Sequence, residues 1–132
     1  MTKIAIVSND GHTISAHFGR ATQYVVFTVE GGEIIGREVR EKLGHNQFAD
    51  EEGHGDQGPE HGFSPAAQSR HRRMIANIMD CQMVVARGMG TGAYHSLQAA
   101  GIRPVVTDLR MVEEAVQAYL QGRLVDHPER LH

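Results

Sequence analysis

Strand and helix patterns alternate along the second half of this chain, and this order constrains the fold more than any other feature of the sequence. Residues 83–86 and 105–107 are short apolar runs, which are typical of strands buried on both faces of a sheet. A helical pattern precedes the first of these strands at residues 65–80. A second lies between the strands at 91–100, and a third follows them at 109–121. A strand, a helix and another strand in succession predict parallel neighbours joined by crossover connections.

The first half of the chain contains three further strand patterns, and the last two are expected to form a hairpin. Residues 3–8 are an apolar, β-branched run. Residues 24–30 and 33–40 flank Gly31 and Gly32, which can supply the positive φ angles of a tight hairpin turn. A hairpin requires antiparallel neighbours, so the sequence predicts an α/β fold with a mixed five-stranded sheet of order 3-2-1-4-5. Helices are expected on both faces of that sheet.

Capping residues and apolar spacing give the expected limits and orientation of the helices. Ser64 and Pro65 are an N-cap and a first helical residue for the first helix. Thr91 and Asp108 are expected to cap the second and third helices. Helical spacing predicts that the following residues face the core: Ala67, Ile75, Ile78 and Met79 in the first helix, and Val112, Ala115, Val116, Tyr119 and Leu120 in the third.

Length and hydropathy indicate a single-domain protein without a membrane-spanning helix. The 132 residues suit one hydrophobic core. We assign residues 1–124 to one domain, with a histidine-rich loop at 44–62, and residues 125–132 to a C-terminal tail. No run of about 18 apolar residues occurs, which excludes a membrane-spanning helix. The first residues lack the pattern of a secretory signal, so we expect a cytoplasmic protein.

Charge and cysteine content exclude several classes of function. The formal net charge is -3, so the chain lacks the strong positive field that attracts nucleic acid. Cys81 is the single cysteine, which excludes internal disulfides and a cysteine-rich zinc or iron–sulfur site. We expect Cys81 to be a small buried residue at the end of the first helix. The third strand is a short edge strand that can pair with a copy of itself, so a monomer or a weak homodimer is expected.

Two loops have the composition of an anion-binding rim. They are His17-Phe18-Gly19-Arg20, between the first two strands, and Gly88-Met89-Gly90-Thr91-Gly92, at the start of the second helix. Free N–H groups and the positive end of the helix dipole favour an anion at the second loop, and Arg20 can pair with one at the first. The glycine spacing differs from that of nucleotide-binding motifs. Two alternatives stay open: the glycines serve only a tight turn, and Phe18 fills the core edge while its polar neighbours are solvated.

Histidines are unusually frequent, and four of the nine are candidate metal ligands. His45, His54 and His61 lie in the long loop among acidic residues, and His71 lies early in the first helix. Imidazole suits zinc, copper, nickel and iron. The same composition also describes a solvated, disordered loop, and His71 also suits the apolar boundary of its helix. A metal-responsive regulatory module that uses the loop histidines alone is therefore a further hypothesis.

Two carboxylates offer a different reading, that of a metal-dependent phosphoryl-transfer enzyme. Asp10 follows the first strand and Asp108 follows the fifth, so both are expected at one rim of the sheet, where two carboxylates can hold magnesium. Asp10 also suits a turn and Asp108 a helix cap, and the first strand contains no acid. No Ser-His-Asp or Cys-His arrangement is indicated. Binding is therefore the favoured class, and we expect no enzymatic turnover.

Five short segments together resemble the dinitrogenase iron–molybdenum cofactor biosynthesis family. They are HFGRA at 17–21, DCQMVV at 80–85, GMG at 88–90, GIRP at 101–104 and YLQGRL at 119–124. The resemblance covers nearly the whole chain, and the order and spacing of the segments are more specific than any one of them. It implies a ribonuclease-H-like architecture.

This resemblance implies binding rather than turnover. The family includes carriers of iron–molybdenum cofactor or its precursors and relatives that bind metal–sulfur clusters. The residues that match its pattern, and are therefore implied to bind cofactor, are Phe18, Gly19, Arg20, Gly88 and Gly90. We expect a non-catalytic carrier of iron–molybdenum cofactor or another iron–sulfur cluster, with nitrogenase or cluster-assembly proteins as partners. The long histidine-rich loop and Arg87 depart from the family pattern.

Overall fold

The strands of the described chain form one mixed sheet in the predicted order. The computed structural model describes residues 1–42 and 72–131. The strands in this part are β1 (Thr2–Ser8), β2 (Gln23–Glu30), β3 (Glu33–Glu41), β4 (Met83–Ala86) and β5 (Arg103–Val106). Their order across the sheet is β3-β2-β1-β4-β5. β2 is antiparallel to β1 and to β3, whereas β4 is parallel to β1 and to β5. The predicted five-stranded topology is confirmed. The fifth strand begins and ends slightly earlier than the predicted 105–107.

The central strands are buried on both faces of the sheet, and successive residues of each strand point to opposite sides. In β1, Ala5 and Val7 pack on one side and Ile4 and Ile6 pack on the other, and all four are 0% exposed. We call the side of Ala5 and Val7 the first core layer and the opposite side the second core layer. Continuous burial along β1 and β4 is what a strand covered on both faces requires.

Two helices cover the two layers. They are α1 (Thr91–Ala99) on the first core layer and α2 (Val112–Leu120) on the second. The helix residues buried in these layers are Ala93 and Leu97 of α1 and Val112, Ala115 and Val116 of α2. Tyr119 and Leu120, which were expected to face inward, pack against the second layer but are only partly buried. Among the described residues, no helix has the length and apolar character needed to cross a membrane.

The helix starts differ from those expected. Gly90 occupies the N-cap position of α1 with φ -76° and ψ 157°, and Thr91 is the first helical residue, so the expected Thr91 cap is wrong. The expected Asp108 cap is also wrong, because α2 begins only after Met111. The chain enters α2 late because the Arg110 carbonyl accepts a hydrogen bond from the Ile14 N–H at 2.8 Å. Glu114 then stabilises the helix start, since its carboxylate accepts a hydrogen bond from the Met111 N–H at 3.0 Å.

The first helix is described only near its end. Residues 72–75 are helical and are followed by a 3-10 turn, Ala76–Ile78. Ile75 and Ile78 lie in the first core layer, as expected, but Met79 is 57% exposed, so its predicted inward orientation is wrong. The helix therefore ends before the predicted limit at residue 80. The expected start at Ser64 and Pro65, and Ala67, lie outside the described residues.

Arg40 of β3 explains this early end. Its guanidinium donates to the Asn77 carbonyl at 2.8 Å and to both oxygens of the Asp80 carboxylate at 2.7 and 3.0 Å. In a continuing α-helix, the Asn77 carbonyl would accept from the residue four positions later. That residue, Cys81, donates its N–H to Ile78 instead, at 2.9 Å. Arg40 holds the pKa of Asp80 well below its usual range.

Cys81 is a buried and unreactive thiol. It is 3% exposed in the first core layer. Burial, with a smaller effect of Asp80, raises the pKa of Cys81 to about 11. The side chain is therefore a neutral thiol near pH 7, whereas metal ligation requires a thiolate. This matches the expectation of a small buried residue.

The C-terminal residues lie along β5. The His127 N–H donates to the Val106 carbonyl at 2.8 Å, and the Asp126 carboxylate accepts from the Val106 N–H at 2.8 Å. The same carboxylate accepts from the Tyr94 hydroxyl of α1 at 2.9 Å. Leu131 packs against the first core layer. Residues 125–131, which were expected to form a tail, therefore pack against the sheet and the first core layer.

The opposite edge of the sheet is β3, which is exposed along most of its length. Ile34, Ile35 and Val39 are 37%, 52% and 55% exposed. An exposed edge strand with aliphatic side chains favours pairing with a second chain. Self-pairing through β3 stays a prediction.

Lys42 is enclosed in the first core layer. It is 0% exposed, and its Nζ lies 2.9 Å from the Met74 Sδ and 4.9 Å from the centroid of the Phe18 ring. Among the described residues, no carboxylate forms an ion pair with it. Burial lowers the pKa of Lys42 from 10.5 to about 7.

We expect Lys42→Met to raise the free energy of unfolding at pH 7 by about 2–4 kcal/mol, because it removes the cost of burying an amine that is charged in the unfolded chain. The folded pKa lies below the unfolded value, so the unfolded state binds more protons between pH 7 and 10.5. The stability of the unsubstituted protein therefore rises with pH in that window.

Urea denaturation of both proteins at pH 7 and pH 10 tests this expectation. The gain from the substitution should be largest at pH 7 and smaller at pH 10. A gain that is equal at the two pH values would contradict it. Lys3→Met is the matched control, because Lys3 is partly exposed and pairs with Asp80 at 3.2 Å.

Candidate functional site at the carboxyl edge of the sheet

Loops that follow β1, β4 and β5 meet at one edge of the sheet, which we call the carboxyl edge. It comprises residues 9–22, 87–90 and 107–111. The three strands are parallel, so their carboxyl ends lie side by side. In open α/β sheets, ligands bind outside the carboxyl ends of such strands. This edge is therefore the candidate site.

Backbone hydrogen bonds join the first two loops. The Ser15 N–H donates to the Val7 carbonyl at 2.8 Å, and the Ser15 carbonyl accepts from the Arg87 N–H at 3.0 Å. The Phe18 N–H donates to the Gly88 carbonyl at 2.9 Å. The two segments expected to form a rim, 17–20 and 88–92, are therefore in direct contact although about 70 residues separate them in the sequence.

The loop after β5 joins the same edge from the second core layer. The Ile14 N–H donates to the Arg110 carbonyl at 2.8 Å, and the Val112 N–H donates to the His12 carbonyl at 2.9 Å. Thr13 and Met111 form an isolated antiparallel bridge between these contacts. Residues 9–22 consequently lie between the other two loops and hold them together.

Asp10 is the internal anchor of residues 9–22. Its Oδ1 accepts hydrogen bonds from the His12 and Thr13 N–H groups, both at 2.8 Å, and its Oδ2 accepts from the Thr13 hydroxyl at 2.9 Å. The backbone N–H groups of Thr13 and His12 hold the pKa of Asp10 well below its usual range. This is the turn role considered from the sequence. The oxygens of Asp10 are therefore occupied by its own loop.

Asp108 is exposed at the same edge but forms no comparable network. Its Oδ1 lies 3.9 Å from the Nε2 of His127. In the part of the chain that the structure describes, no three His, Cys, Asp or Glu side chains are grouped as a metal site. The paired-carboxylate magnesium site considered from the sequence thus gains no support from these residues.

Phe18 and Met89 contribute backbone rather than side chain to the carboxyl edge. Each is 1% exposed, and both side chains lie in the first core layer. The Phe18 ring packs 6.5 Å from the Tyr24 ring, between centroids. The alternative that Phe18 fills the edge of the core is correct. Neither side chain is therefore open to a ligand at this edge, and the Phe18 N–H is already bonded to the Gly88 carbonyl.

The glycines of residues 88–92 adopt ordinary backbone angles. The described glycines with positive φ are Gly11, Gly31, Gly32, Gly101 and Gly122. Gly88, Gly90 and Gly92 are not among them, so a left-handed turn does not explain their presence. Among the residues that the structure describes, no side chain caps the start of α1. The first N–H groups of that helix therefore have neither a helical partner nor a side-chain cap, and they suit an anion.

Basic residues lie at the same carboxyl edge as these N–H groups, and Arg87 is also close to them in sequence. His17, Gly19 and Arg20 are exposed, and no described residue forms an ion pair with Arg20. The Nε of Arg87 is buried and lacks a hydrogen-bond partner among the described residues. A buried donor without a partner is costly, and an anionic group would satisfy it. This donor set fits an anionic metal–sulfur group held by hydrogen bonds and charge rather than by thiolates.

The remaining predicted metal ligands fall in the undescribed part of the chain. His45, His54, His61 and His71, and the loop 44–62 that carries the first three, lie outside the described residues. Their role as metal ligands stays a prediction. Within the described carboxyl edge, His12 and His17 are the exposed imidazoles.

Sequence reasoning treated Arg87 only as a departure from the family pattern and did not identify Ser15. Arg87 follows directly on the buried strand β4, which is a signal that could have placed it at the carboxyl edge. No sequence pattern distinguishes Ser15, because its role lies in backbone contacts with Val7 and Arg87. A cavity of about 700 Å³ beside the loop after β5 was also missed. Its lining includes Asp108, Arg123 and His127.

Comparison with known proteins identifies a family and a shared fold. The family described as dinitrogenase iron-molybdenum cofactor matches residues 1–122. A protein of Methanocaldococcus jannaschii, described as uncharacterized protein MJ0580, is 25% identical over 115 residues. That alignment covers 87% of this chain and 83% of the relative.

Two solved structures extend the comparison. The crystal structure of PH0822 is 20% identical with a TM-score of 0.67, and the match covers 97% of this chain and 98% of that one. The apo form of the orange protein from Desulfovibrio gigas is 22% identical with a TM-score of 0.61, with 97% and 94% covered. At these identities, the similarity shows a common fold.

We expect Asp10→Ala to loosen residues 9–22, because the carboxylate accepts three hydrogen bonds within that loop. Amide hydrogen exchange at His12 and Thr13 should accelerate about tenfold or more, while the amides of β1 keep their protection. Asp108→Ala is the control, since no backbone N–H among the described residues donates to that carboxylate. Equal exchange rates in the two variants would show that Asp10 does not anchor the loop.

Proposed function

Because the chain belongs to the dinitrogenase iron–molybdenum cofactor family, we propose that it binds an anionic metal–sulfur cluster at the carboxyl edge and delivers it to an acceptor protein. The observation that carries this proposal is the hydrogen bond from the Phe18 N–H to the Gly88 carbonyl at 2.9 Å. It brings the basic loop 17–20 against the loop that begins α1. The basic side chains of loop 17–20 and the N–H groups at the start of α1 can therefore act on the same ligand.

The charge arrangement supports an anion as the cargo. The N–H groups at the start of α1 carry the positive end of the helix dipole. Arg20 and Arg87 add guanidinium donors, which suit charged and hydrogen-bonding acceptors such as sulfide. The carboxyl edge therefore supplies hydrogen-bond donors and positive charge, although the chain as a whole has a net charge of -3.

The same arrangement suits reversible carriage. Cys81 is a buried neutral thiol, so it supplies no thiolate bond to the cluster. Hydrogen bonds and charge can be exchanged for those of an acceptor without breaking a metal–thiolate bond. Direct ligation of the metal by His45, His54, His61 or His71 remains part of the proposal, and His17 belongs to the rim that contacts the cluster.

We propose binding without turnover. The phosphoryl-transfer alternative required Asp10 as a metal ligand, and the oxygens of Asp10 are used by the His12 and Thr13 groups. The regulatory alternative depends on histidines outside the described residues. The proposed partners are nitrogenase or cluster-assembly proteins, and the ribonuclease-H-like label for the sheet stays a prediction.

Anaerobic titration with isolated iron–molybdenum cofactor tests the proposal. We expect about one cofactor per chain, seen as visible absorption that remains with the protein after gel filtration and as molybdenum and iron in metal analysis. Titration with zinc and nickel ions distinguishes the regulatory alternative. Uptake of these simple ions without uptake of the cofactor would overturn cluster carriage.

We expect Arg20→Gln and Arg87→Gln each to weaken cofactor binding about tenfold, which is the loss of one charge-assisted hydrogen bond. Arg103→Gln is the matched control, because Arg103 is exposed at the first position of β5, at the opposite edge of the sheet. Affinities from the anaerobic titration give the comparison. An equal loss in all three variants would indicate a general charge effect instead of a site at the carboxyl edge.

A further inference from the structure

Lys42 differs from Lys3 and Arg40 in that no carboxylate among the described residues pairs with it. Lys3 pairs with Asp80 at 3.2 Å, and Arg40 pairs with Asp80 at 2.7 Å. The Nζ of Lys42 contacts the Met74 Sδ at 2.9 Å and the face of the Phe18 ring at 4.9 Å. Thioether and ring contacts are weak compared with the cost of removing an ammonium from water. The described core therefore leaves this charge uncompensated.

Among the described residues, no carboxylate of the elements packed around Lys42 pairs with its ammonium, and the neighbouring Glu41 is exposed. Tyr24 of β2 is neutral, since burial raises the pKa of its hydroxyl, and that hydroxyl donates to the Met74 carbonyl at 2.8 Å. The acid of this layer, Asp80, is bound by Arg40 and Lys3. The other titratable or charged groups on these elements are His17 and Arg20 of the loop, Arg72 and Arg73 of the helical residues, Glu30 of β2, Glu33, Arg37, Glu38 and Glu41 of β3, and the neutral thiol of Cys81.

Phe18 places Lys42 directly beneath the carboxyl edge. The ring of Phe18 faces the ammonium, while its backbone N–H bonds the Gly88 carbonyl at 2.9 Å. His17, Gly19 and Arg20 continue from the same residue to the exposed surface. The buried ammonium of Lys42 thus contacts the side chain of a residue that belongs to the loop proposed to bind the ligand. Interactions across a buried ring are poorly screened by solvent.

We propose that an anion bound at the carboxyl edge is the counter-ion of Lys42, so that ligand binding and protonation of the Lys42 amine are linked. This inference rests on the proposed function and adds the regulation of the same site. Lys42 acts through Phe18 and the local potential and does not touch the ligand, so it is a positioning residue. It makes the binding step sensitive to pH.

The direction of this linkage follows from the burial of the amine. In the free protein the pKa of Lys42 lies at about 7, so at pH 8.5 most molecules hold a neutral amine. An anion nearby favours the ammonium, and binding at pH 8.5 should therefore take up a proton. By thermodynamic reciprocity, protonation strengthens anion binding by the same factor. Below about pH 6 the amine is already charged, and binding should take up no proton at Lys42.

Tetrathiomolybdate, a stable molybdenum–sulfur dianion, is the probe for this linkage. Calorimetric titration at pH 8.5 in two buffers of different protonation enthalpy measures the protons taken up for each anion bound. We expect close to one proton with the unsubstituted chain and a drop in affinity of about tenfold between pH 6.5 and pH 8.5. Lys42→Met should abolish both effects.

Lysine NMR gives an independent readout. The chain contains two lysines, Lys3 and Lys42, so the Cε signals of a lysine-labelled sample are readily assigned with the Lys42→Met variant. Addition of tetrathiomolybdate should raise the pKa of Lys42 and leave that of Lys3 unchanged. Lys3→Met is the matched control in calorimetry and should retain the proton uptake.

The outcomes separate this inference from the function beneath it. Binding that takes up no proton, or that is equal in the unsubstituted chain and Lys42→Met at both pH values, overturns the inference and leaves cluster carriage standing. Failure of both tetrathiomolybdate and isolated cofactor to bind overturns the proposed function as well. Because Lys42→Met removes a buried charge, the variant is expected to fold, and unfolding curves confirm that affinities compare folded proteins.

Discussion

The arrangement of the carboxyl edge depends on the backbone hydrogen bonds by which residues 9–22 cross the ends of β1 and β4. Ser15 bonds to both strands' ends, at 2.8 Å to Val7 and at 3.0 Å to Arg87, and Phe18 adds the contact with Gly88 at 2.9 Å. Backbone groups at the end of a strand need partners when they are buried, and this loop supplies them. A binding rim formed in this way is positioned by the sheet itself and not by flexible side chains.

The distribution of charge gives this rim its chemical character. Around β3 the cations are neutralised: Arg37 pairs with Glu113 at 3.2 Å, and Arg40 pairs with Asp80 at 2.7 Å. At the carboxyl edge the acid nearest the rim in sequence, Asp10, is occupied by backbone N–H groups. Arg20 is left without an ion pair among the described residues. A chain with a negative net charge thus keeps a local donor surface for an anionic guest.

Lys42 connects the core to this surface. A fully buried lysine is a feature that sequence patterns do not reveal, because the residue lies immediately after a strand that is otherwise exposed. Its burial costs folding free energy, and such costs are commonly retained where a group acts in binding. Phe18 contributes both to the core and to the rim. Its ring fills the first core layer beside Lys42, and its backbone holds the second loop, so stability of the core and geometry of the rim are not independent.

The sequence by itself determined the sheet order and the hairpin at Gly31 and Gly32, because apolar runs, turn residues and the rules for strand connections act over short stretches of chain. It also indicated the two loops at 17–20 and 88–92. Two limits of the helices were decided by contacts between distant residues. Arg110 is held by Ile14, so the helix α2 does not start at its local capping signal, and Asn77 is held by Arg40, so the first helix ends before residue 80. The burial of Met89 and Lys42 likewise arises only when the sheet brings separate segments together. The occupation of Asp10 by its own loop is instead a local turn, which the sequence did indicate. Local patterns encode which residues form a strand or helix, whereas the partners of a charge or a backbone group are fixed by neighbours that the sequence does not place side by side.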